Sequence, residues 1–194
     1  MFVTRHKEIA QRVQKLRAFG VDRSFQERNI PGVYDVTELG LNYRMSELQA
    51  ALGRSQLARF GENLSRRERN FRRLQEDLAG IPNIHILDSV DPQAKNSYYC
   101  LVLFLKGPLQ GRRDEVVLRL KSVGVGTSVY YPRPVPHMQY YREKYGQSLG
   151  LFPNAARLSD SSLALPVGPH AADEEISYVG EKVRAVLEED QHAH

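Results

Sequence analysis

Apolar residues recur at steps of mostly three, four or seven along three stretches of the chain, which is the spacing of an amphipathic helix. The first stretch is 8–19, and Gly20 follows it as a typical helix-ending residue. The second, 46–79, is long for a globular helix, so we expect it to connect two parts of the protein. The third begins at Asp173 and is expected to form a terminal helix with one face in the core.

Shorter elements are predicted between the second and third helical stretches. Residues 97–105 are apolar at successive positions, as in a buried central strand, and β-branched and aromatic residues favour another strand at 125–131. The remaining predicted elements are a strand end at 1–4, a loop at 21–38, helices at 113–122, 138–145 and 154–159, a strand at 163–167 and a disordered tail at 191–194. This order predicts an α+β fold, with a small mixed β-sheet and helices on one face.

A polar tripeptide, Asn42-Tyr43-Arg44, lies just before the long helical stretch. Ser46 and Gln49 have the S-x-x-Q spacing of a capping box, in which each side chain bonds a free backbone N–H of the first turn. The start of a helix carries partial positive charge, which favours an anion beside Asn42 and Arg44. An ordinary capped helix after a loop accounts for the same residues.

The composition is that of a globular protein with one domain, or with one domain and part of another. The 194 residues are 41% apolar and 26% charged, and they contain neither a membrane-spanning apolar run nor a signal-peptide pattern. The single cysteine, Cys100, excludes an intramolecular disulfide, and its apolar surroundings predict a buried, inert thiol. We expect a cytoplasmic protein without a metal site.

The net charge of +4 is concentrated in one segment. Residues 54–73 contain seven arginines and two glutamates, a local net charge of +5, so the rest of the chain is close to neutral. A solvated helix face is the expected interpretation. A nucleic-acid-binding face is the alternative, but aromatic residues that would stack on bases are not interleaved with these arginines, so no nucleic-acid partner is predicted.

Three motifs occur in order along the chain and together span most of it. They are GLNYRMSELQAALG at 40–53 with Gln56 and Leu57 after it, GVGTSVYYP at 124–132 with His137 after it, and FPNA at 152–155 with LALPV at 163–167. These motifs resemble those of the DegT/DnrJ/EryC1/StrS sugar aminotransferases, which are fold-type I enzymes that use pyridoxal phosphate.

The resemblance implies that the chain corresponds to the C-terminal part of such an enzyme. Family members are about twice as long, and the lysine that holds their cofactor as a Schiff base would precede Met1, so we expect the lysine-bearing half to be absent. None of the seven lysines lies in the sequence context of that lysine. The implied organisation is a remnant of the large cofactor-binding domain at 1–45 and a small domain at 46–190, with the connecting helix at 46–79.

The resemblance also implies roles for five residues. In the family, the asparagine that corresponds to Asn42 reaches the cofactor phosphate of the neighbouring subunit, and the arginine that corresponds to Arg44 lies in the same region. The resemblance therefore implies that Asn42 and Arg44 bind the cofactor. The loop that carries Tyr130, Tyr131 and His137 borders the substrate pocket, although the family often has histidine where Tyr130 stands. A surface or hydrogen-bonded histidine in a proline-rich loop is the alternative for His137. No catalytic residue is predicted.

The predicted function is that of the C-terminal domain of an aminotransferase-like protein in nucleotide-sugar biosynthesis, for polysaccharides or antibiotics. We expect that the chain binds no pyridoxal phosphate covalently and is inactive alone, so that activity on a nucleotide-linked sugar would need a separate lysine-bearing half. A homodimer is expected, because the apolar side chains of Leu48, Leu52, Leu57 and Phe60 would otherwise be exposed. The alternative is a non-catalytic dimerisation or interaction domain left by gene truncation.

Overall fold

In a computed structural model, the chain divides into two compact units, Met1–Ala58 and Arg59–His194. The structure describes residues 2–22, 25–27, 29–89, 91 and 93–192, with side chains up to residue 189. Within these residues, no helix combines the length and the apolar character that crossing a membrane requires.

Seven α-helices and three β-strands form within the described residues. The helices are α1 (Lys7–Leu16), α2 (Glu47–Ala58), α3 (Phe60–Asp77), α4 (Arg113–Ser122), α5 (Gln139–Tyr145), α6 (Pro153–Ser161) and α7 (Asp173–His192). The strands are β1 (Ile84–Leu87), β2 (Leu101–Leu105) and β3 (Ser162–Leu165). Short 3-10 turns occur at Phe25–Glu27, Gly107–Leu109 and Val135–His137. The protein therefore has the mixed helix-and-strand composition that the sequence predicts.

In the first unit, the segment before α2 returns along the C-terminal end of α1. The Leu41 N–H donates to the Leu16 carbonyl at 2.8 Å. Two glycines permit this close approach, because Gly20 has a φ of +73° and a Cβ on Gly40 would lie only 2.3 Å from the Gly20 nitrogen. The returning segment therefore fixes the backbone that leads to Asn42.

The predicted helix at 8–19 forms as α1 but ends at Leu16, because the backbone beyond it turns to pair with the returning segment. Residues 2–4 form no strand, since no described segment pairs with them, and Met1 lies outside the described residues. The region 21–38 is irregular, as predicted, apart from one antiparallel bridge and a 3-10 turn in its described part.

The predicted continuous helix at 46–79 is two helices, α2 and α3, separated at Arg59. Arg59 has left the helical conformation, with a φ of −99° and a ψ of 0°. The sequence carries a signal of this break, because Leu52 and Leu57 are five residues apart and a step of five does not return to the same helix face. Gly61, whose flexibility suggests a bend, instead lies inside α3.

The second unit contains a sheet with the strand order β1-β2-β3. Ile84 pairs with Leu105 across β1 and β2, and Leu101 pairs with Leu165 across β2 and β3. The prediction of a mixed sheet is wrong for the described strands, because both pairings are antiparallel. The predicted elements also omit β1, although its alternating Ile84 and Ile86 are a recognisable strand signal.

The predicted strand at 125–131 contributes only a single bridge to the sheet. Ser128 and Ala164 exchange two backbone hydrogen bonds, of 3.0 and 2.8 Å. In this register Pro166 lies opposite position 126 and has no N–H to donate, so the ladder does not extend in that direction.

The other elements of this unit form close to their predicted positions. β2 begins at Leu101, four residues later than predicted, and the short helices and β3 differ from the predicted bounds by at most two residues. α7 starts at Asp173 as predicted but continues to His192. The predicted disorder of the tail is therefore wrong for residues 191 and 192, and residues 193 and 194 lie outside the described part.

The core of the second unit is built on β2. Its residues Leu101, Leu103 and Leu105 are fully buried, whereas Val102 and Phe104 between them are half-buried. Side chains from α3, from the residue just after it and from α4 and α7 complete this core: Phe71, Leu74, Leu78, Val116, Leu120, Ile176, Val183 and Leu187. Burial of each large apolar side chain contributes roughly 1.5–3 kcal/mol, so this cluster is the main source of stability in the unit.

Polar contacts tie α7 to α3 within the same unit. Asn70 on α3 is buried and donates its side-chain amide to the carbonyl of Gly168 at 2.9 Å, just before α7. Arg184 on α7 donates to the Asp77 and Ala79 carbonyls, at 2.7 and 3.0 Å. These two carbonyls lie at the end of α3 and would otherwise lack helical partners, so Arg184 also caps that helix.

Candidate functional site

Asn42 and Arg44 lie side by side on the surface of the first unit, just before α2. The Asn42 Oδ1 accepts hydrogen bonds from the Arg44 backbone N–H at 3.4 Å and from Arg44 Nε at 3.2 Å. The Arg44 guanidinium lies 5.4 Å from the centroid of the Phe19 ring, a cation–π distance. Asn42 is also bridged to Ala18 through the backbone. The structure therefore brings these two predicted residues together and holds both in place; Phe19 has no role in the sequence prediction.

Both side chains keep hydrogen-bond donors available for an anion. Asn42 bonds Arg44 through its carbonyl oxygen, which leaves its amide nitrogen without a partner among the described residues. The terminal nitrogens of Arg44 are likewise bonded to no described residue, although its Nε is used. The pair thus presents amide and guanidinium donors together.

The predicted capping box at the start of α2 is confirmed. The Ser46 N–H donates to Gln49 Oε1 at 2.9 Å, and the Gln49 N–H donates to Ser46 Oγ at 3.3 Å. These reciprocal bonds order the chain between Arg44 and the first turn of α2. The cap therefore restricts the freedom of the residues that carry the donors.

The phosphate is the part of pyridoxal phosphate that these residues fit. Proteins bind phosphate with amide N–H groups and with guanidinium groups, which match its charge and its acceptor oxygens. Asn42 and Arg44 supply one of each, and both side chains are exposed. We call Asn42 and Arg44 the phosphate pair.

In the second unit, Tyr130 and Tyr131 belong to an aromatic cluster that also includes Tyr99. The Tyr130 and Tyr131 rings meet edge to face with centroids 5.8 Å apart, and the Tyr99 ring lies 5.9 Å from that of Tyr130. Their exposed fractions lie between 41% and 70%, so all three present aromatic surface to solvent. Sequence reasoning missed Tyr99, whose signal is the Tyr-Tyr pair that precedes the apolar strand β2. We call these three residues the tyrosine cluster.

The pKa values of Tyr99 and Cys100 are both raised, which favours the neutral forms of these two groups. A hydrogen bond with the Tyr130 hydroxyl raises the pKa of Tyr99, so Tyr99 is a phenol and not a phenolate at neutral pH. Burial raises the pKa of the adjacent Cys100, which is half-buried. Because the thiolate is the reactive form of cysteine, this direction agrees with the inert thiol predicted from the sequence.

His137 is buried, with 6% of its surface exposed, in the 3-10 turn that follows Pro134. Its Nε2 lies 2.7 Å from the Leu151 carbonyl. Because a carbonyl oxygen only accepts, Nε2 carries the proton in this contact. The contact fits the alternative of a hydrogen-bonded histidine, which here fastens the proline-rich loop to the segment before α6.

The arginine-rich segment carries many of its charges in ion pairs. These pairs are Arg66 with Glu62 at 2.6 Å, Arg69 with Asp173 at 3.3 Å, Arg72 with Asp88 at 2.6 Å and Arg73 with Asp77 at 3.1 Å. Paired arginines have less charge to offer a nucleic acid, so the arrangement favours the solvated helix face.

Comparisons of sequence and of structure with known proteins both point to the family whose motifs the chain resembles. The chain matches the DegT/DnrJ/EryC1/StrS aminotransferase family over residues 1–184. It is 31% identical over 192 residues to the spore coat polysaccharide biosynthesis protein SpsC of Bacillus subtilis strain 168, covering 96% of this chain and 49% of SpsC.

Solved structures share the fold over nearly the whole chain. S. venezuelae DesV in complex with a ketimine intermediate gives a TM-score of 0.83 at 27% identity, covering 96% of this chain and 46% of DesV. The PLP-form of Streptococcus pneumoniae Spr1654 also gives 0.83, at 24% identity, covering 96% of this chain and 45% of Spr1654, and shows the shared fold.

The chain spans about half the length of the curated relatives it matches. The family match nevertheless includes both the phosphate pair and the tyrosine cluster, since it extends over more than nine-tenths of the chain. On this basis, the chain belongs to the DegT/DnrJ/EryC1/StrS aminotransferase family.

Proposed function

We propose that this chain acts as the C-terminal half of a sugar aminotransferase, which transfers an amino group to a nucleotide-linked sugar in the cytoplasm. The observation that carries this proposal is the phosphate pair, in which the Asn42 amide nitrogen and the terminal nitrogens of Arg44 are held together without a partner among the described residues. The family membership supplies the reaction class, and the name of SpsC supports a role in polysaccharide biosynthesis. The proposed products are sugars for polysaccharides or antibiotics.

The chain's own residues would bind and orient the reacting molecules. Asn42 would donate its amide N–H to the cofactor phosphate, and Arg44 would compensate part of the phosphate charge. Pyridoxal phosphate, when bound, supplies the electron sink that amino-group transfer needs. Tyr130 and Tyr131 would border the sugar substrate, and His137 would hold the loop that follows them against Leu151.

A second copy of the chain is the proposed partner at α2. Leu48, Leu52 and Leu57 are 85%, 64% and 73% exposed, and Phe60 at the start of α3 is 54% exposed. Exposed apolar side chains in such a run are unusual for a monomer, and a two-fold axis allows the same surface to cover itself. In this arrangement the phosphate pair would serve the cofactor of the other subunit.

The test is reconstitution of aminotransfer with a lysine-bearing half. The full chain is co-expressed with the N-terminal half of SpsC, and conversion of a nucleotide-linked keto sugar with glutamate as donor is measured. The expected result is activity from the mixture and none from either half alone, together with retention of pyridoxal phosphate. Reconstituted activity that is unaffected by loss of both Asn42 and Arg44 would contradict the assigned role of the phosphate pair.

The variants Asn42→Ala and Arg44→Ala separate binding from folding. A hydrogen bond to a charged group contributes about 1.5–3 kcal/mol, so each variant should retain the cofactor about 10- to 100-fold less tightly. Arg54→Ala is the matched control, because Arg54 is an exposed arginine of α2 outside the phosphate pair. Circular dichroism should show the same helix content in all three variants.

A non-catalytic dimerisation domain is the second candidate, and the exposed apolar side chains of α2 favour it. The two candidates differ in what the phosphate pair does. A chain that dimerises fully, while neither cofactor retention nor aminotransfer depends on Asn42, would support the dimerisation domain.

A further inference from the structure

Phe19 follows α1, contacts the phosphate pair and has no role in the function described so far. Its ring centroid lies 5.4 Å from the Arg44 Cζ, which is within the range of a cation–π contact. Its backbone has a φ of +66°, in the left-handed region that residues with a Cβ seldom adopt. One residue therefore combines a contact to the phosphate pair with an unfavourable backbone conformation.

On backbone grounds alone, glycine would be the favoured residue at position 19. Glycine adopts a left-handed φ readily, as the next residue, Gly20, does with a φ of +73°. Backbone hydrogen bonds hold Phe19 in this conformation, because its N–H donates to the Leu41 carbonyl at 3.2 Å and the Gly20 N–H donates to the Lys15 carbonyl at 2.9 Å. Residues with strained backbones occur at sites where a side chain must be held in one place.

The Phe19 ring adds a second constraint to the Arg44 side chain. The first constraint is the hydrogen bond from Arg44 Nε to Asn42 Oδ1 at 3.2 Å. A single hydrogen bond still allows the guanidinium to swing, and the ring beside it limits that movement. Neither contact is a hydrogen bond to a terminal nitrogen of Arg44, so the ring orders the side chain without using the donors that an anion needs.

The charge of Arg44 is also left for an anion. Glu38 lines the same cleft as Phe19 and Arg44, but its carboxylate accepts from Arg12 Nε at 2.9 Å. Arg44 itself forms no ion pair with any residue of the described part of the chain. An ordered guanidinium without a carboxylate partner is suited to hold a phosphate group.

We infer that Phe19 is a positioning residue, whose ring holds the Arg44 guanidinium beside Asn42 so that both side chains bind one phosphate group together. This inference rests on the proposed function, which supplies the phosphate of the cofactor. The ring does not contact the phosphate and acts only through Arg44. The unfavourable backbone of Phe19 is retained because glycine, which would relieve it, has no ring.

The experiment measures binding of inorganic phosphate to the full chain by NMR, from the signals of the Asn42 side-chain amide and the Arg44 Nε–H. Phe19→Leu keeps the Cβ and the apolar character but removes the ring. It should weaken phosphate binding about two- to fivefold, the effect of one exposed cation–π contact. It should also shift the Arg44 Nε–H signal before phosphate is added, whereas Phe19→Tyr keeps a ring and should bind phosphate as the wild-type chain does.

A double-mutant cycle separates positioning from general packing. If the ring acts through Arg44, Phe19→Leu should have no further effect on phosphate binding once Arg44→Gln is present. Phe19→Gly tests the backbone argument, because it removes both the ring and the unfavourable φ. In this variant the Leu41 amide, which donates to the Leu16 carbonyl, should exchange no faster than in the wild-type chain, while phosphate binding weakens as in Phe19→Leu.

Phe152 provides the matched control. It is a phenylalanine with a left-handed φ of +59°, and its exposed fraction is 49% against 48% for Phe19. It directly precedes α6 in the second unit, and within the described residues its ring contacts no cation. Phe152→Leu should therefore leave phosphate binding and the Arg44 Nε–H signal unchanged.

The outcomes distinguish this inference from the proposed function. A wild-type chain that binds no phosphate, equal binding by Phe19→Leu and the wild-type chain, or additive effects of Phe19→Leu and Arg44→Gln would overturn the inference, as would an equal loss in Phe152→Leu. If reconstituted aminotransfer and cofactor retention depend on Arg44 but are unchanged in Phe19→Leu, the inference fails and the proposed function stands. If phosphate binding depends on Phe19 through Arg44 while no aminotransfer is reconstituted, the inference stands and the proposed function fails.

Discussion

Replacement of Ser46 by alanine tests whether the capping box orders the chain next to the phosphate pair. The substitution removes the Oγ that accepts from the Gln49 N–H at 3.3 Å. It leaves the Gln49 side chain able to accept from the backbone N–H of residue 46, where the distance is 2.9 Å. The variant therefore isolates one of the two reciprocal bonds.

The expected loss is at the lower end of the range for N-caps. Alanine at this position costs about 0.5–2 kcal/mol in other helices, and the bond here is both long and exposed. We therefore expect about 0.5–1 kcal/mol. Because the chain has two compact units, a single global transition is not assured, so the change is better measured locally.

Amide hydrogen exchange of α2, followed by NMR, provides that local measurement. A loss of 0.5–1 kcal/mol corresponds to about two- to fivefold faster exchange of amides in the first turns of α2. Ser55→Ala is the matched control, because Ser55 lies within α2 and is exposed but does not cap the helix. Unchanged exchange of the Gln49 and Ala50 amides in the Ser46 variant would refute the capping argument.

Three further predictions address the cofactor, assembly and acid stability. Incubation of the chain alone with pyridoxal phosphate, followed by borohydride reduction and digestion, should label no single lysine stoichiometrically. One fully labelled lysine peptide would refute the proposal that the Schiff-base lysine belongs to another half. Sedimentation at micromolar concentration should show a dimer that Leu52→Glu dissociates, while Leu118→Glu, at 65% exposure against 64% for Leu52, leaves it intact; a monomeric wild-type chain would contradict the proposed interface. Burial raises the pKa of Asp88, but hydrogen bonds, chiefly from Arg72, lower it by more, so the pKa in the folded state lies below the unfolded value. The ion pair of Asp88 with Arg72 therefore stabilises the fold above about pH 4, and this stabilisation is lost as the pH falls through the folded-state pKa. Asp88→Asn should therefore cost about 0.5–1 kcal/mol in urea melts at pH 7, because solvent screens the half-exposed Arg72, and the difference should shrink at pH 3; a constant difference would exclude this titration.

Local sequence rules were sufficient for much of the helical structure. The capping box at Ser46 and Gln49 depends on residues three apart, and its two bonds are those that the spacing predicts. The bounds of α4 agree because its ends and apolar spacing are encoded within ten residues. The motifs that imply the family likewise lie in short contiguous runs, which is why the relationship is visible in the amino-acid sequence itself.

Pairing between segments that are distant in sequence could not be predicted from local sequence patterns. The apolar stretch at 125–131 has strand-forming residues, but its pairing does not extend towards residue 126, because Pro166, distant in sequence, lies opposite that position. The alternation of Ile84 and Ile86 indicates a strand at β1, but the antiparallel direction of its pairing with β2, and of β2 with β3, depends on contacts between segments that are distant in sequence.

The sequence alone determined the order of the helices, the helix cap and the family resemblance, because each depends on residues that are close together along the chain. Only the tertiary structure decided which side chains share a site. It placed Arg44 between Asn42 and Phe19, buried His137 against Leu151, and brought Tyr99 to Tyr130 across 31 residues of sequence. The physical reason is that ring contacts, ion pairing and burial depend on distances in space, and these are set by the packing of the whole unit.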